Sequence, residues 1–263
     1  MFRHQGKSRT LKHNLRIATI LSFVAGVVNV TGFLAFHELT THVTGHFSLF
    51  VRDVAELKFW QGAVYFLYIL SFLFGSFSSS FLIENYKENK KLNVFVLPTL
   101  VECMILIGVA IFSNFNQMLT PQLMVCLLLF AMGLQNSLVT KISNAVVRTT
   151  HLTGLFTDLG IELSQLCFPK SHPNSKQLKA TIRLRLFIIC FFFMGGIIGG
   201  FLYSTLNFKM NTLLLGALVL MISLFYDDLR LKMITVKRSY QRRSTLKKAV
   251  KRKVKPRFTN RIS

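Results

Sequence analysis

The sequence predicts an all-α membrane protein: six transmembrane helices in two inverted three-helix repeats, each with a short re-entrant or interfacial helix. Three observations carry that prediction. The 263 residues are 51% apolar and 13% aromatic but only 16% charged, against roughly 25% charge in an ordinary soluble domain. Six stretches reach the ~20 apolar residues that cross a ~30 Å hydrocarbon core. The two halves of the chain carry the same short motifs in the same order. A basic nucleic-acid-binding protein would account for the formal charge of +22, but not for a mean hydropathy of +0.46 with 26 Phe. The apolar content excludes disorder, and four Cys in this length exclude a disulfide scaffold.

The predicted spans are 16–36, 60–83, 93–113, 122–141, 185–206 and 210–228. Segments 46–58 and 153–168 read as helices too short and too polar to span. The chain then divides into a basic N-terminus 1–15, a first repeat 16–113, a second repeat 122–228 holding a polar loop 168–184, and a basic tail 229–263. Span 1 follows Arg9, Lys12 and Arg16 but is too long for a signal-peptide core and lacks a small-x-small cleavage site, so it is expected to remain as a signal anchor. With both termini in the cytoplasm, 29 of the 32 Lys and Arg lie on the cytoplasmic side, leaving Arg52, Lys58 and Lys209 outside. That asymmetry is the positive-inside rule, and it orients the chain in a bacterial cytoplasmic (inner) membrane. Cys103, Cys126, Cys167 and Cys190 lie in or beside helices and read as small apolar packing residues.

Gly26-Val-Val-Asn29 answers Gly133-Leu-Gln-Asn136, and His42-Val-Thr44-Gly45 answers His151-Leu-Thr153-Gly154. Gly75 with Ser79-Ser80-Phe81-Leu82 answers Gly195 with Gly199-Gly200-Phe201-Leu202. The offsets are 107, 109 and 120 residues, and the last jump fits an insertion in the loop 168–184. A repeat of three spans, an odd number, places the second half upside down relative to the first, a plan recurrent in transporters and channels. If both short helices dip into the membrane, their N-termini approach one another near the midplane. Thr44 and Thr153 are then expected as N-caps, with Gly45 and Gly154 allowing close backbone approach. Two positive helix ends favour an anion or a polar solute. If the helices instead lie flat at the two interfaces, their amphipathic pattern serves as a structural elbow.

Gly26-x-x-Asn29, Thr44-Gly45, Met132-Gly-Leu-Gln-Asn136 and Thr149-Thr-x-x-Thr153-Gly154 resemble the YoaK-like family of uncharacterised bacterial integral membrane proteins, over about residues 15–228. Asn29 and His46 depart from that pattern, which usually carries Asp and Asn there. The resemblance implies a membrane location and six spans, with no substrate or reaction attached.

Glu102 stands near the middle of span 3. A carboxylate there costs ~2.5–3.5 kcal/mol on insertion scales, so it is expected to be neutral, paired or facing a cavity. It is a candidate to bind solute or couple a proton; the structural alternative is a protonated Glu hydrogen-bonded between helices. Asn29, Gln135 and Asn136 either line a solute path or join helices through amide hydrogen bonds. His37, His42, His46 and His151 cluster about the Thr-Gly blocks, but no Cys or acid spacing completes a metal site, so no metal and no cofactor are expected. His42, His46 and His151 predict a pH response instead. Gly75, Ser79, Gly195, Gly196, Gly199 and Gly200 form small-residue faces that pack helices within one chain or between copies in a homo-oligomer. Asp53 and Glu162 match across the repeat and read as a solvated face.

From Lys237 onward the tail carries twelve Lys or Arg and no acid, among them Lys247, Lys248, Lys251, Arg252 and Lys253. Such a cluster binds anionic lipid at a cytoplasmic face for ~1 kcal/mol per charge. It lacks the interleaved aromatics of a nucleic-acid binder, so no nucleic-acid partner is expected. No P-loop, Gly-x-Ser-x-Gly, His-Glu-x-x-His or Rossmann fingerprint occurs, so no enzyme activity is expected. The sequence thus predicts a small-solute transporter or channel, with Asn29, Thr44, Gly45, Glu102, Gln135, Asn136, Thr153 and Gly154 as site residues. The alternative is a membrane scaffold that acts on lipid through its tail.

Overall fold

A computed structural model describes residues 11–86, 96–115, 120–143, 146–168 and 175–226, and every regular element among them is helical. In order these are α1 (Leu11–Phe36), α2 (Thr44–Ala55), α3 (Phe59–Tyr86), α4 (Val96–Phe112), α5 (Pro121–Ser143), α6 (Leu152–Leu166) and α7 (Ser175–Ser204). A 3₁₀ turn, Lys209–Thr212, then leads into α8 (213–226). The chain divides into two units, Met1–Ser223 and Leu224–Ser263, and only 224–226 of the second are described. Residues 1–10 of the expected N-terminal segment 1–15, and the basic tail with Lys247, Lys248, Lys251, Arg252 and Lys253, lie outside the described residues.

Among the described residues five segments are long and apolar enough to cross a membrane: Asn14–Phe36, Phe59–Tyr86, Pro121–Ser143, Ser175–Ser204 and Lys209–Tyr226. The expected span 93–113 corresponds to α4, an apolar helix of 17 residues. At 1.5 Å per residue it measures about 26 Å, near the lower limit for a span. The expected loop 168–184 is partly helical, because α7 begins at Ser175 and carries Lys176, Lys179, Arg183 and Arg185 on its first three turns. Long basic side chains let a helix run past the hydrocarbon edge while their charges stay in water.

Burial separates the long helices into centre and periphery. Of the apolar windows, 61% is buried in α1 and 67% in α5, against 22% in α3 and 28% in α7. The outer faces of α3 and α7 expose Leu67, Phe74, Phe77, Phe81, Phe193 and Ile197, as lipid contact requires. α1 packs chiefly on α7 and α5 chiefly on α3, so each central helix takes its main partner from the other half of the chain.

Glycine makes both pairings possible. A Cβ on Gly26 would collide with the carbonyl oxygen of Phe192, and one on Gly195 with that of Phe23. In the other pair, a Cβ on Gly133 would collide with the carbonyl of Phe72, and one on Gly75 with that of Phe130. Close backbone approach of this kind is how membrane helices gain van der Waals contact where no hydrophobic force separates them from lipid. Ser76 Oγ adds a hydrogen bond to the Gly133 carbonyl at 3.2 Å. α8 meets the centre through Gly216, near Val24 and Leu106, and Cys103 Sγ lies 3.7 Å from the Ala217 carbonyl.

The short helices branch from tight turns. α1 stops where His37 takes the left-handed conformation (φ 57°), with its N–H on the Phe33 carbonyl. α2 stops in a Schellman motif: Leu57 is left-handed (φ 60°), Leu57 N–H bonds Val54 O, and Lys58 N–H bonds Asp53 O at 2.8 Å.

Candidate functional site

The two Thr-Gly segments meet. Leu39, Thr41, His42, Val43, Thr44, Gly45 and Phe72 face Thr150, His151, Leu152 and Thr153 around a cavity of about 460 Å³. Each side of it is the turn leading into a short helix, α2 or α6. Neither helix start has a side-chain cap. The N-cap residues are Val43 and His151, so Thr44 and Thr153 already lie inside their helices and do not act as the expected caps. Their hydroxyls are left free of the first turn because each sits past the point where a capping oxygen can reach it. Neither first turn has its amides covered by a side chain, although the Leu152 N–H bonds the Thr150 carbonyl at 3.0 Å. No acidic side chain is among the described residues that line it.

The amides, Gln135 buried and Asn29 and Asn136 partly so, stand one layer behind this wall. Asn29 Oδ1 accepts a hydrogen bond from Thr41 Oγ1 at 2.7 Å, and Asn136 Oδ1 accepts one from Thr150 Oγ1 at 3.0 Å and one from Thr149 at 3.4 Å. Gln135 Nε2 donates to the Leu21 carbonyl at 3.1 Å and to Thr149 Oγ1 at 3.3 Å. Thr41 and Thr150 line the cavity, whereas Asn29, Gln135 and Asn136 are not among its lining residues. The amides thus position the hydroxyls. Gln135 Oε1 and Asn136 Nδ2 are buried without a hydrogen-bond partner, which keeps spare polar capacity close to the cavity wall.

Thr41 and Thr150 had a legible signal, since Thr40-Thr41-His42-x-Thr44-Gly45 repeats as Thr149-Thr150-His151-x-Thr153-Gly154. Glu102 falls elsewhere. It is fully buried in α4, both carboxylate oxygens lack a hydrogen-bond partner, and it lines neither this cavity nor the next.

The flanks of the shared cavity differ. On the α2 side His46 is buried, with Nε2 donating to the Leu39 carbonyl at 2.6 Å. Its ring stacks on Tyr65 at 6.0 Å and meets Tyr68 edge-on at 5.1 Å. Glu38 stands 3.6 Å from His46 Nδ1 and shares a hydrogen bond with Tyr65. Burial pushes the His46 imidazole below its ordinary range, and burial pushes the Glu38 carboxyl above its own. His42 is also held low, first by burial and then by the neighbouring His151 and His46.

On the α6 side the space is open. A cavity of about 500 Å³ is lined by Val146, Arg148, His151, Gly154, Leu155, Asp158, Thr181, Leu184 and Arg185. His151 lines both cavities and so marks their junction. Gly154 does not serve close approach, because a Cβ there would meet nothing within 4 Å. Arg185 Nη1 pairs with Asp158 at 2.8 Å and its Nε with Glu162 at 2.9 Å, tying α7 to α6. Asp53, the match of Glu162, is 2% exposed and paired with Arg52 at 2.6 Å. Asp53 is thus buried rather than on a solvated face, and Glu162, with its side chain 13% exposed, is largely withdrawn from one.

These features define a multi-pass α-helical membrane protein with a polar cavity between two short helices. Residues 17–226 match the family described as "Protein of unknown function (DUF1275)", and the chain belongs to that family, the YoaK-like one its motifs resemble. No match was found among curated proteins or among solved structures.

Proposed function

We propose that the protein is a small-solute transporter or channel of the bacterial cytoplasmic membrane, taking an anion or a polar solute into the cavity between α2 and α6. The observation that carries this reading is the convergence of both Thr-Gly segments, from opposite halves of the chain, on one cavity bordered by two helix starts without side-chain caps and, among the described residues, by no acid. A cavity built this way offers backbone N–H groups, hydroxyls and imidazoles to a solute with hydrogen-bond acceptors.

The reading includes six spans in two inverted halves, with α4 as the sixth and both termini cytoplasmic. Matched contacts support it: Gly26 on Phe192 mirrors Gly133 on Phe72, Gly195 on Phe23 mirrors Gly75 on Phe130, and Asn29–Thr41 mirrors Asn136–Thr150. The 29-to-3 distribution of basic residues supports the orientation. Glu102, away from both cavities, is assigned to proton coupling rather than solute contact.

The test is uptake by the full chain in proteoliposomes across a panel of small anions and neutral polar solutes. Transport is expected for at least one, lost in Thr41→Val/Thr150→Val and reduced in Asn136→Ala. A flux indifferent to all three hydroxyl and amide changes, or no flux across the panel, rejects the reading.

A further inference from the structure

The open flank of the site has a chemistry that the shared cavity lacks. Its lining carries two guanidinium groups, Arg148 and Arg185, against one carboxylate, Asp158. Arg185 is 22% exposed, and Asp158 is 49% exposed. A pair that wet is worth little, so Arg185 exchanges one carboxylate for another at small cost. Among the described residues Arg148 has no ion-pair partner. Arg is suited to this task because its planar fork matches carboxylate and phosphate oxygens two at a time. His151 joins this space to the cavity between the short helices.

The other flank shows why the position is significant. At the matched places in the first half, His46 stands for Leu155, Tyr65 for Arg185 and Tyr68 for Ile188. Those three rings pack against one another between α2 and α3.

We propose that the cavity between α6 and α7 is the vestibule through which solute reaches the shared cavity, and that it holds a small oxyanion, a carboxylate or phosphate, on Arg148 and Arg185. This rests on the transport reading and names its solute class. On binding, the oxyanion replaces Asp158 on Arg185, loosening one of the two ties between α6 and α7 while Glu162 keeps the other.

The experiment uses the full chain with Cys167 and Cys190 changed to Ser and Thr181→Cys placed in the vestibule. The rate of thiol modification by an impermeant maleimide is followed in phosphatidylcholine vesicles, with sodium phosphate, sodium succinate or potassium chloride at equal ionic strength. Phosphate or succinate should slow modification at least threefold relative to chloride, and Arg148→Gln should abolish that protection. Because Arg185→Gln also removes a helix tie, Asp158→Asn provides the decisive variant. It frees Arg185, so the half-protecting concentration should fall about threefold, the factor a partly exposed ion pair is worth. A structural tie alone gives no such gain.

The proposal is overturned if neither anion protects, or if protection is unchanged in both Arg148→Gln and Asp158→Asn. It is also overturned if protection appears only when phosphatidylglycerol is added, which assigns the arginines to lipid headgroups. Thr153→Cys, read in parallel, separates the two ideas. Protection at Thr153→Cys but not at Thr181→Cys removes the vestibule and leaves transport standing; protection at neither, with no uptake, removes both.

Discussion

The two flanks of the central cavity are built on one plan and closed by different chemistry. Beside α2, three rings and a 2.6 Å hydrogen bond from His46 seal the gap to α3. Beside α6, Arg185 holds two carboxylates across a cavity of about 500 Å³. Glycine crossings and Asn–Thr clasps recur at matched positions of the sequence. The filling does not repeat, because residues 46, 65 and 68 share no chemistry with 155, 185 and 188.

The largest effects should come from breaking the shared frame. Gly75→Val and Gly133→Val each drive a side chain into a backbone carbonyl that cannot retreat. Each should cost about 3 kcal/mol or more, seen as loss of folded, monodisperse protein in detergent or a large fall in Tm. Gly26→Val and Gly195→Val should match them within about 1 kcal/mol if the two crossings are equivalent. A tolerated substitution on one crossing only would break the comparison at its root.

Next come the clasps. Asn29→Ala and Asn136→Ala each remove the acceptor of a lining Thr hydroxyl. Each should cost about 1–3 kcal/mol in thermal unfolding. Asn136→Ala should cost more, because Oδ1 of Asn136 holds Thr149 as well as Thr150.

Much of this frame was legible in the chain, and the reason is local. Apolar run length marks spans, and Gly26, Gly75, Gly133 and Gly195 recur at fixed offsets because close crossing tolerates no other residue there. The Thr-Gly blocks likewise located the cavity. What the sequence hid is what long-range contact decides. Nothing local pairs Arg185 with Asp158 and Glu162, or brings Tyr65 over His46, since those partners are 19 or more residues apart. The N-caps were missed because a Thr before Gly looks the same whether it stands at the N-cap or, as Thr44 and Thr153 do, one or two positions inside. Glu102 was conspicuous by residue type alone, and type does not say that its carboxylate lies away from both cavities.

The flanks can be compared directly by exchanging one plug. His46→Leu gives the α2 side the residue found at Leu155 and leaves the Leu39 carbonyl without its donor. That loss, ~1–3 kcal/mol, corresponds to roughly fivefold to 150-fold in the opening equilibrium. Val64→Cys, matched to Leu184 but also lining a separate cavity with Trp60 and Thr120, should then gain in thiol reactivity over its value in the parent, while Leu184→Cys changes little. Equal gains at both positions would mean that His46 supports the whole fold rather than one flank.

Proton linkage gives a smaller effect with a defined sign. His42 and His46 are held below the ordinary 6.5, so the folded state resists protonation that the unfolded chain accepts. Stability should be full above about pH 6.5, fall as pH drops below it, and level off beneath the lowered values. Glu38 is held above the ordinary 4.5 and works oppositely, losing stability as pH rises from about 4.5 to the raised value. Tm measured from pH 7.5 to pH 5 should therefore drop more steeply in Glu38→Gln and less steeply in His46→Gln. A His46→Gln profile parallel to the parent would remove His46 from the acid response.

The smallest effect separates the two glycines that flank the cavity. A Cβ on Gly45 meets Leu39 Cδ1 at 3.1 Å, whereas one on Gly154 meets nothing within 4 Å. Both lie in the first turn of a helix, where replacing Gly by Ala gains up to ~1 kcal/mol in intrinsic propensity. Gly154→Ala should keep that gain and raise Tm slightly, while Gly45→Ala should spend part of it moving Leu39. Uptake should respond the other way round from stability. Gly154→Ala puts a methyl into the open cavity and should slow flux in a protein that is no less stable, which only an occupied path explains. If Gly154→Ala is more stable and equally active, the open cavity beside α6 is a packing defect, and the contrast between the flanks has no functional content.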